Sequence, residues 1–135
     1  MVKLIVGKKG TGKTKTLINM VNTAVENSRG NVVCIEKGVK LRYDVKYRAR
    51  LINTEEYNVA DAQALYGFIA GILASNHDVT DLFIDSTLKI CKGDVPAFET
   101  LVVELDKLVT KIGLNMTMTV SMPEDEASET IRKFI

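Results

Sequence analysis

The chain has 135 residues, 46% of them apolar and 26% charged, with a net charge of +1. That is the balance of one globular domain with a real core, and it excludes a disordered tail or a wholly basic nucleic-acid coat. The charge is split, however: residues 1–50 carry 12 Lys/Arg against 3 Asp/Glu, and residues 51–135 carry 6 against 14.

Val2–Val6 is a short, nearly all-apolar run, as expected of a strand covered on both faces. It is too short for a signal peptide, and no run approaches the roughly 20 apolar residues that span a bilayer. Cys34 and Cys91 stand alone with no Cys or His at ligand spacing, so they read as reduced thiols and a structural zinc has no support. A cytoplasmic, membrane-free protein is expected.

Gly7-Lys8-Lys9-Gly10-Thr11-Gly12-Lys13-Thr14 fits the phosphate-binding pattern G-x-x-x-x-G-K-[ST] at every fixed position. A strand precedes it and a helix follows, which is the setting the chemistry needs. Glycines let several backbone N–H groups converge on one anion, and the helix adds the positive end of its dipole. In this reading Gly7 to Lys15 wrap a nucleoside triphosphate, Lys13 meets its outer phosphates, and the Thr14 hydroxyl ligates Mg²⁺.

Lys13–Ser28 reads as a helix with Leu17, Val21, Ala24 and Val25 inward, stopped by Gly30. Asn31–Glu36 is a second buried strand. Gly38 to Lys46 is basic and irregular, with a small ribbon as its expected form, and Ala49–Asn53 is a third strand. Asp61–Ser75 is a helix with Ala62, Leu65, Ile69 and Ile72 inward, and with Gly67 and Gly71 placed for a close neighbour. Asp81–Asp85 is a fourth strand ending in a carboxylate. Asp94, Pro96 and Gly113 delimit a helix with a stripe of Phe98, Leu101, Val102, Leu105, Leu108 and Ile112. Asn115–Ser121 is a fifth strand, and Pro123-Glu124-Asp125-Glu126 opens a last helix. Of the methionines, Met20, Met116, Met118 and Met122 read as core.

This alternation predicts an α/β fold with a mainly parallel five-stranded sheet, one domain over 1–135, and a ligand outside the carboxyl ends of the strands. Asp85, at such an end, is placed to hold Mg²⁺ with Thr14. Glu36 ends the second strand and is the candidate to orient an attacking water, because Ser86 rather than an acid follows Asp85. Thr119 and Ser121, at the end of the fifth strand, are candidates to sense the γ-phosphate. His77 reads as a surface loop residue. Lys37 to Arg50 interleave cations with Tyr43 and Tyr47, a pattern that suits nucleic acid or a neighbouring subunit's phosphate. A solvated loop is the favoured reading there. The opposed charges of the two halves suggest head-to-tail association into a homo-oligomer, or a protein partner.

Gly7–Thr14, Glu36 and the pair Asp85-Ser86 together resemble the RecA-type ATPase core. The chain is also similar to short bacterial P-loop proteins loosely labelled ATP-binding or twitching-motility-like. The resemblance implies a three-layer α/β/α P-loop NTPase with strand order 3-2-4-5-1, truncated after its fifth strand. The first strand is then at the sheet edge, covered by the last helix. It also implies that Glu36 activates water and that Ser121 occupies the γ-phosphate-sensing position. Lys8 matches the extra lysine of deviant Walker A ATPases, but Lys9 replaces one of their glycines and Asp85-Ser86-Thr87-Leu88 lacks their D-x-x-G. Lys8 is therefore read as local positive charge. With no N-K-x-D segment, ATP is the nucleotide by elimination. The expected function is Mg-dependent ATP binding with slow hydrolysis; the alternatives are a nucleotide-gated interaction module without meaningful hydrolysis and a small-molecule kinase.

Overall fold

A computed structural model describes residues 1–135. Five strands, β1 (Val2–Gly7), β2 (Asn31–Glu36), β3 (Arg50–Asn53), β4 (Val79–Ile84) and β5 (Asn115–Ser121), form one sheet in the order β1-β5-β4-β2-β3. Every neighbouring pair is parallel. Read from the other edge, this is the order 3-2-4-5-1. Parallel neighbours need crossovers, and the helices that supply them cover both faces.

Alternation along the strands divides the apolar residues between two clusters. Leu4, Val33, Ile35, Leu82, Ile84, Met116 and Met118 face α2 (Ala62–Ser75) and α4 (Val95–Ile112). Val32, Cys34 and Phe83 face α1 (Lys13–Asn27), which brings Leu17, Val21 and Val25 to meet them. The larger cluster is centred on Phe98, fully buried beside Leu101, Val102 and Leu105 of the α4 stripe. Both cysteines are free and buried, one in each cluster. Met116, Met118 and Met122 are buried and Met20 is half-buried. No helix is long and apolar enough to cross a membrane.

The β1 edge of the sheet is partly covered. At β1 the Leu4 N–H donates to the Phe134 carbonyl at 2.7 Å and the Val2 N–H donates to Asp106 Oδ1 at 2.9 Å. Two outward donors of that strand are therefore satisfied within the chain, which blunts an edge that would otherwise pair with another strand. This cover comes from Asp106 of α4 and from the segment after a four-residue helix, α5 (Glu129–Arg132), packed beside α4.

Several expectations need correction. The basic stretch after Gly38 forms no ribbon; it is a chain of turns in which the Asp44 and Val45 N–H groups both donate to the Leu41 carbonyl. In α2 the inward residue is Leu73 rather than Ile72, which is half-buried, because the stripe drifts with the 3.6-residue period. Gly67 and Gly71 have no close neighbour: a Cβ at either meets nothing within 4 Å. In α4, Val109 is buried where the expected stripe has Leu108 and Ile112, the latter 50% exposed. Pro123–Glu126 makes a single 3-10 turn, and α5 begins afresh at its own cap, where Ser128 Oγ accepts the Ile131 N–H.

Candidate functional site

The turn from β1 into α1 is shaped by three glycines. Gly10 and Gly12 have φ of 84° and 85°, a region that side chains rarely adopt. At Gly7 a Cβ would stand 2.8 Å from Thr11 Oγ1, so any side chain there would force Thr11 to shift. Thr11 Oγ1 in turn donates to the Lys8 carbonyl at 2.7 Å, closing the loop on itself. Lys13 Nζ donates to the same carbonyl at 2.8 Å, so its ammonium is held inside the curve of the loop rather than out in solvent. Helix α1 starts at Gly12 with no side-chain cap and no acid in its first turn. Its first N–H groups and its positive dipole end are thus open to an anion.

The carboxyl end of β4 comes to this helix start. Thr14 Oγ1 lies 3.2 Å from each oxygen of Asp85. Asp85 is nine-tenths buried, and its other partners are Thr119 Oγ1, donating at 2.7 Å, and Ser86 Oγ at 3.4 Å. Thr119 also accepts the Ser86 N–H at 2.7 Å. Register explains the meeting: Ile84 pairs with Met118, so the next residues of β4 and β5 arrive together at the strand ends. Ser86 then turns away in the left-handed region, φ 53°, into a four-residue helix, α3 (Thr87–Ile90), that the sequence pattern did not reveal.

Glu36 ends β2 and is buried, and its carboxylate holds the next loop: Oε1 accepts the Lys40 N–H at 3.1 Å and Oε2 the Leu41 N–H at 3.2 Å. Burial raises its pKa above the usual carboxylate value. The two backbone hydrogen bonds pull against that rise, and the negative charge of Asp85 adds to it. A raised pKa in the folded state means that ionised Glu36 costs stability at neutral pH, a cost relieved as pH falls toward the ordinary carboxylate range. The Glu36→Gln variant should therefore show a flatter dependence of unfolding free energy on pH across that window. Urea unfolding at stepped pH checks this: the parent should gain on the variant as the medium is acidified.

Between these strand ends lies a cavity of about 670 Å³. Of the residues expected at the site, Lys9, Gly10, Gly12, Lys13, Thr14, Lys15, Glu36, Asp85 and Ser121 line it. Gly7, Lys8 and Thr11 do not; they shape the loop from behind. Thr119 lines it too, but its hydroxyl is spent on Asp85 and Ser86, which makes it a positioning residue instead of the γ-phosphate sensor expected above. The lining residues that sequence reasoning did not assign to the site are Lys37, Lys40, Leu41, Ser86, Leu88, Lys89 and Gly93. Lys37 and Lys40 lie in the basic stretch and signalled charge but not position; Lys89 follows from α3 and had no signal. Six lysines against two carboxylates make the wall strongly positive, and Leu41 and Leu88 are its only apolar members.

No group of three or more His, Cys, Asp or Glu could hold a metal unaided. Thr14 and Asp85 do present convergent oxygens, the donor type that Mg²⁺ prefers. A cation here would complete its shell with water and ligand oxygens.

No protein-family model and no curated protein sequence matches the chain.

Proposed function

We propose that this chain is a RecA-like P-loop domain that binds Mg-ATP and hydrolyses it slowly. The observation that carries the reading is the meeting of Thr14 with Asp85, 71 residues apart in sequence, at an uncapped helix start beside Lys13. The strand order and the glycine-shaped loop support it. In this reading the N–H groups of Gly10 to Lys15 hold the phosphates, and Lys13 leaves the Lys8 carbonyl for the β- and γ-phosphate oxygens. Thr14 and Asp85 hold Mg²⁺, whose charge offsets that of the phosphates. Each Glu36 oxygen spends one lone pair on the loop and keeps another for a water aimed at the γ-phosphorus. Ser121 stands at the fifth strand's mouth to contact the γ-phosphate. No arginine lines the cavity, so turnover by the isolated chain is slow.

A second reading, a nucleotide-gated interaction module, draws on the same Glu36. Its hold on Lys40 and Leu41 ties the basic loop to the phosphate site, which suits a switch as well as a catalyst.

Titration calorimetry with Mg-ATP tests binding, and phosphate release by the parent and by Glu36→Gln tests catalysis. With no aromatic ring on the cavity wall, inorganic tripolyphosphate should compete with ATP within about tenfold, because the phosphates carry the recognition. Absence of heat with Mg-ATP would end the reading. Equal phosphate release by the two proteins would leave only the module.

A further inference from the structure

The loop after β2 repeats one pattern of four. Leu41, Val45 and Ala49 are buried against α1, and each is followed by a cation: Arg42, Lys46 and Arg50. An aromatic ring stands two places after the first two anchors. These rings, Tyr43 and Tyr47, are 87% and 95% exposed. Tyrosine normally buries much of its ring, so two almost wholly solvated ones on a well-fastened segment are unusual. The segment is fastened by more than its anchors. Asn22 of α1 donates to the Asp44 carbonyl at 2.9 Å and accepts the Lys46 N–H at 2.9 Å, and Glu36 holds the Lys40 and Leu41 N–H groups. The tyrosines are thus presented outward by a backbone that is itself tied down. Arg42 lies over the Tyr43 ring at 5.2 Å from its centre. A separate cavity of about 400 Å³ opens beside them, lined by Arg42, Lys46, Tyr47, Arg48 and Arg50 together with Val45, Ala49 and Leu51.

We infer that this loop binds single-stranded nucleic acid, with Tyr43 and Tyr47 stacking on bases and the intervening cations on phosphates. Alternating rings and positive charges match a strand's alternation of flat bases and anionic linkages. A protein-binding patch has a contiguous apolar centre depleted of charge; here Val45, Ala49 and Leu51 also line the cavity, but Arg42, Lys46, Arg48 and Arg50 are interleaved with them. A duplex would need a helix or ribbon to enter its groove, and the loop is neither. The surface lies outside the phosphate cavity except at Lys37, Lys40 and Leu41, so the inference stands apart from the ATPase reading.

Fluorescence anisotropy of the full chain with a labelled oligothymidylate of about 20 nucleotides, without nucleotide, provides the test. Binding should weaken steeply as salt rises from about 50 to 200 mM. The Tyr43→Ala/Tyr47→Ala double variant should lose at least about tenfold in affinity, since each stacked base is a substantial contact. Arg42→Ala should weaken binding and shallow the salt slope by about one. Both variants alter exposed side chains, and an unchanged circular dichroism melt shows that they remain folded. No strand binding at low salt overturns the inference. So does an unimpaired double variant, or polyglutamate that binds with the same dependence on the two tyrosines, which would assign the loop to an acidic protein.

Discussion

Lys13→Ala is expected to weaken Mg-ATP binding by roughly a hundredfold or more. A charge-assisted hydrogen bond to a buried anion is worth about 1.5–3 kcal/mol, and Lys13 would make such bonds to two phosphates at once. Its ammonium is already inside the curve of the loop, bonded to the Lys8 carbonyl, so little ordering is needed when phosphate replaces that carbonyl. Of the five other lysines of the cavity wall, Lys37, Lys40 and Lys89 sit on separate segments, and Lys9 and Lys15, on the loop and on α1, do not share the Lys13 bond to the Lys8 carbonyl. Calorimetry reads the loss directly. Fold should survive, because the substitution removes one ring-closing bond of a loop and none of the core. A variant that binds as tightly as the parent would place the phosphates elsewhere.

Asp85 separates two effects that its neighbours combine. The Asp85→Ala substitution strips partners from Thr14 and Ser86 and leaves the Thr119 hydroxyl, almost fully buried, without its acceptor. An orphaned buried polar group costs about 1–3 kcal/mol, so the urea midpoint should fall by a corresponding amount. Asp85→Asn keeps an acceptor for Thr119 and should retain most of that stability, but it gives up the negative charge that a cation needs. In the parent, ATP should bind more tightly with Mg²⁺ than with chelator present. In Asp85→Asn the two affinities should converge. If Asp85→Asn keeps the full magnesium effect, the metal is not held at this carboxylate.

The architecture was legible in the sequence where one signal dominated. Val32 to Ile35 and Leu82 to Ile84 are continuous apolar runs, the pattern of a strand covered on both faces. Gly7–Thr14 was legible because its spacing is a steric demand, seen in the clash that a Cβ at Gly7 would make with Thr11. What escaped was set by contacts between distant residues. Thr119 read as a candidate γ-phosphate sensor; its bond to Asp85, 34 residues away, follows from the β4–β5 register. The two donors that Glu36 holds belong to a turn whose shape depends on Leu41 and Val45 finding the core. Helix α3 is four residues long, too short for any period to show. After Pro123 the acids argued for a helix start, but Ser128, with its own capping bond, begins the helix.

The pairing of β1 with β5 joins the first strand to the last, with Gly7 opposite Ser121. Gly7 and Ser121 are far apart in sequence, so the glycine-rich bend gains this supporting neighbour only through a non-local closure. Of the strand pairings in the sheet this one closes the longest span of chain, and such closures carry the larger entropic cost and form slowly.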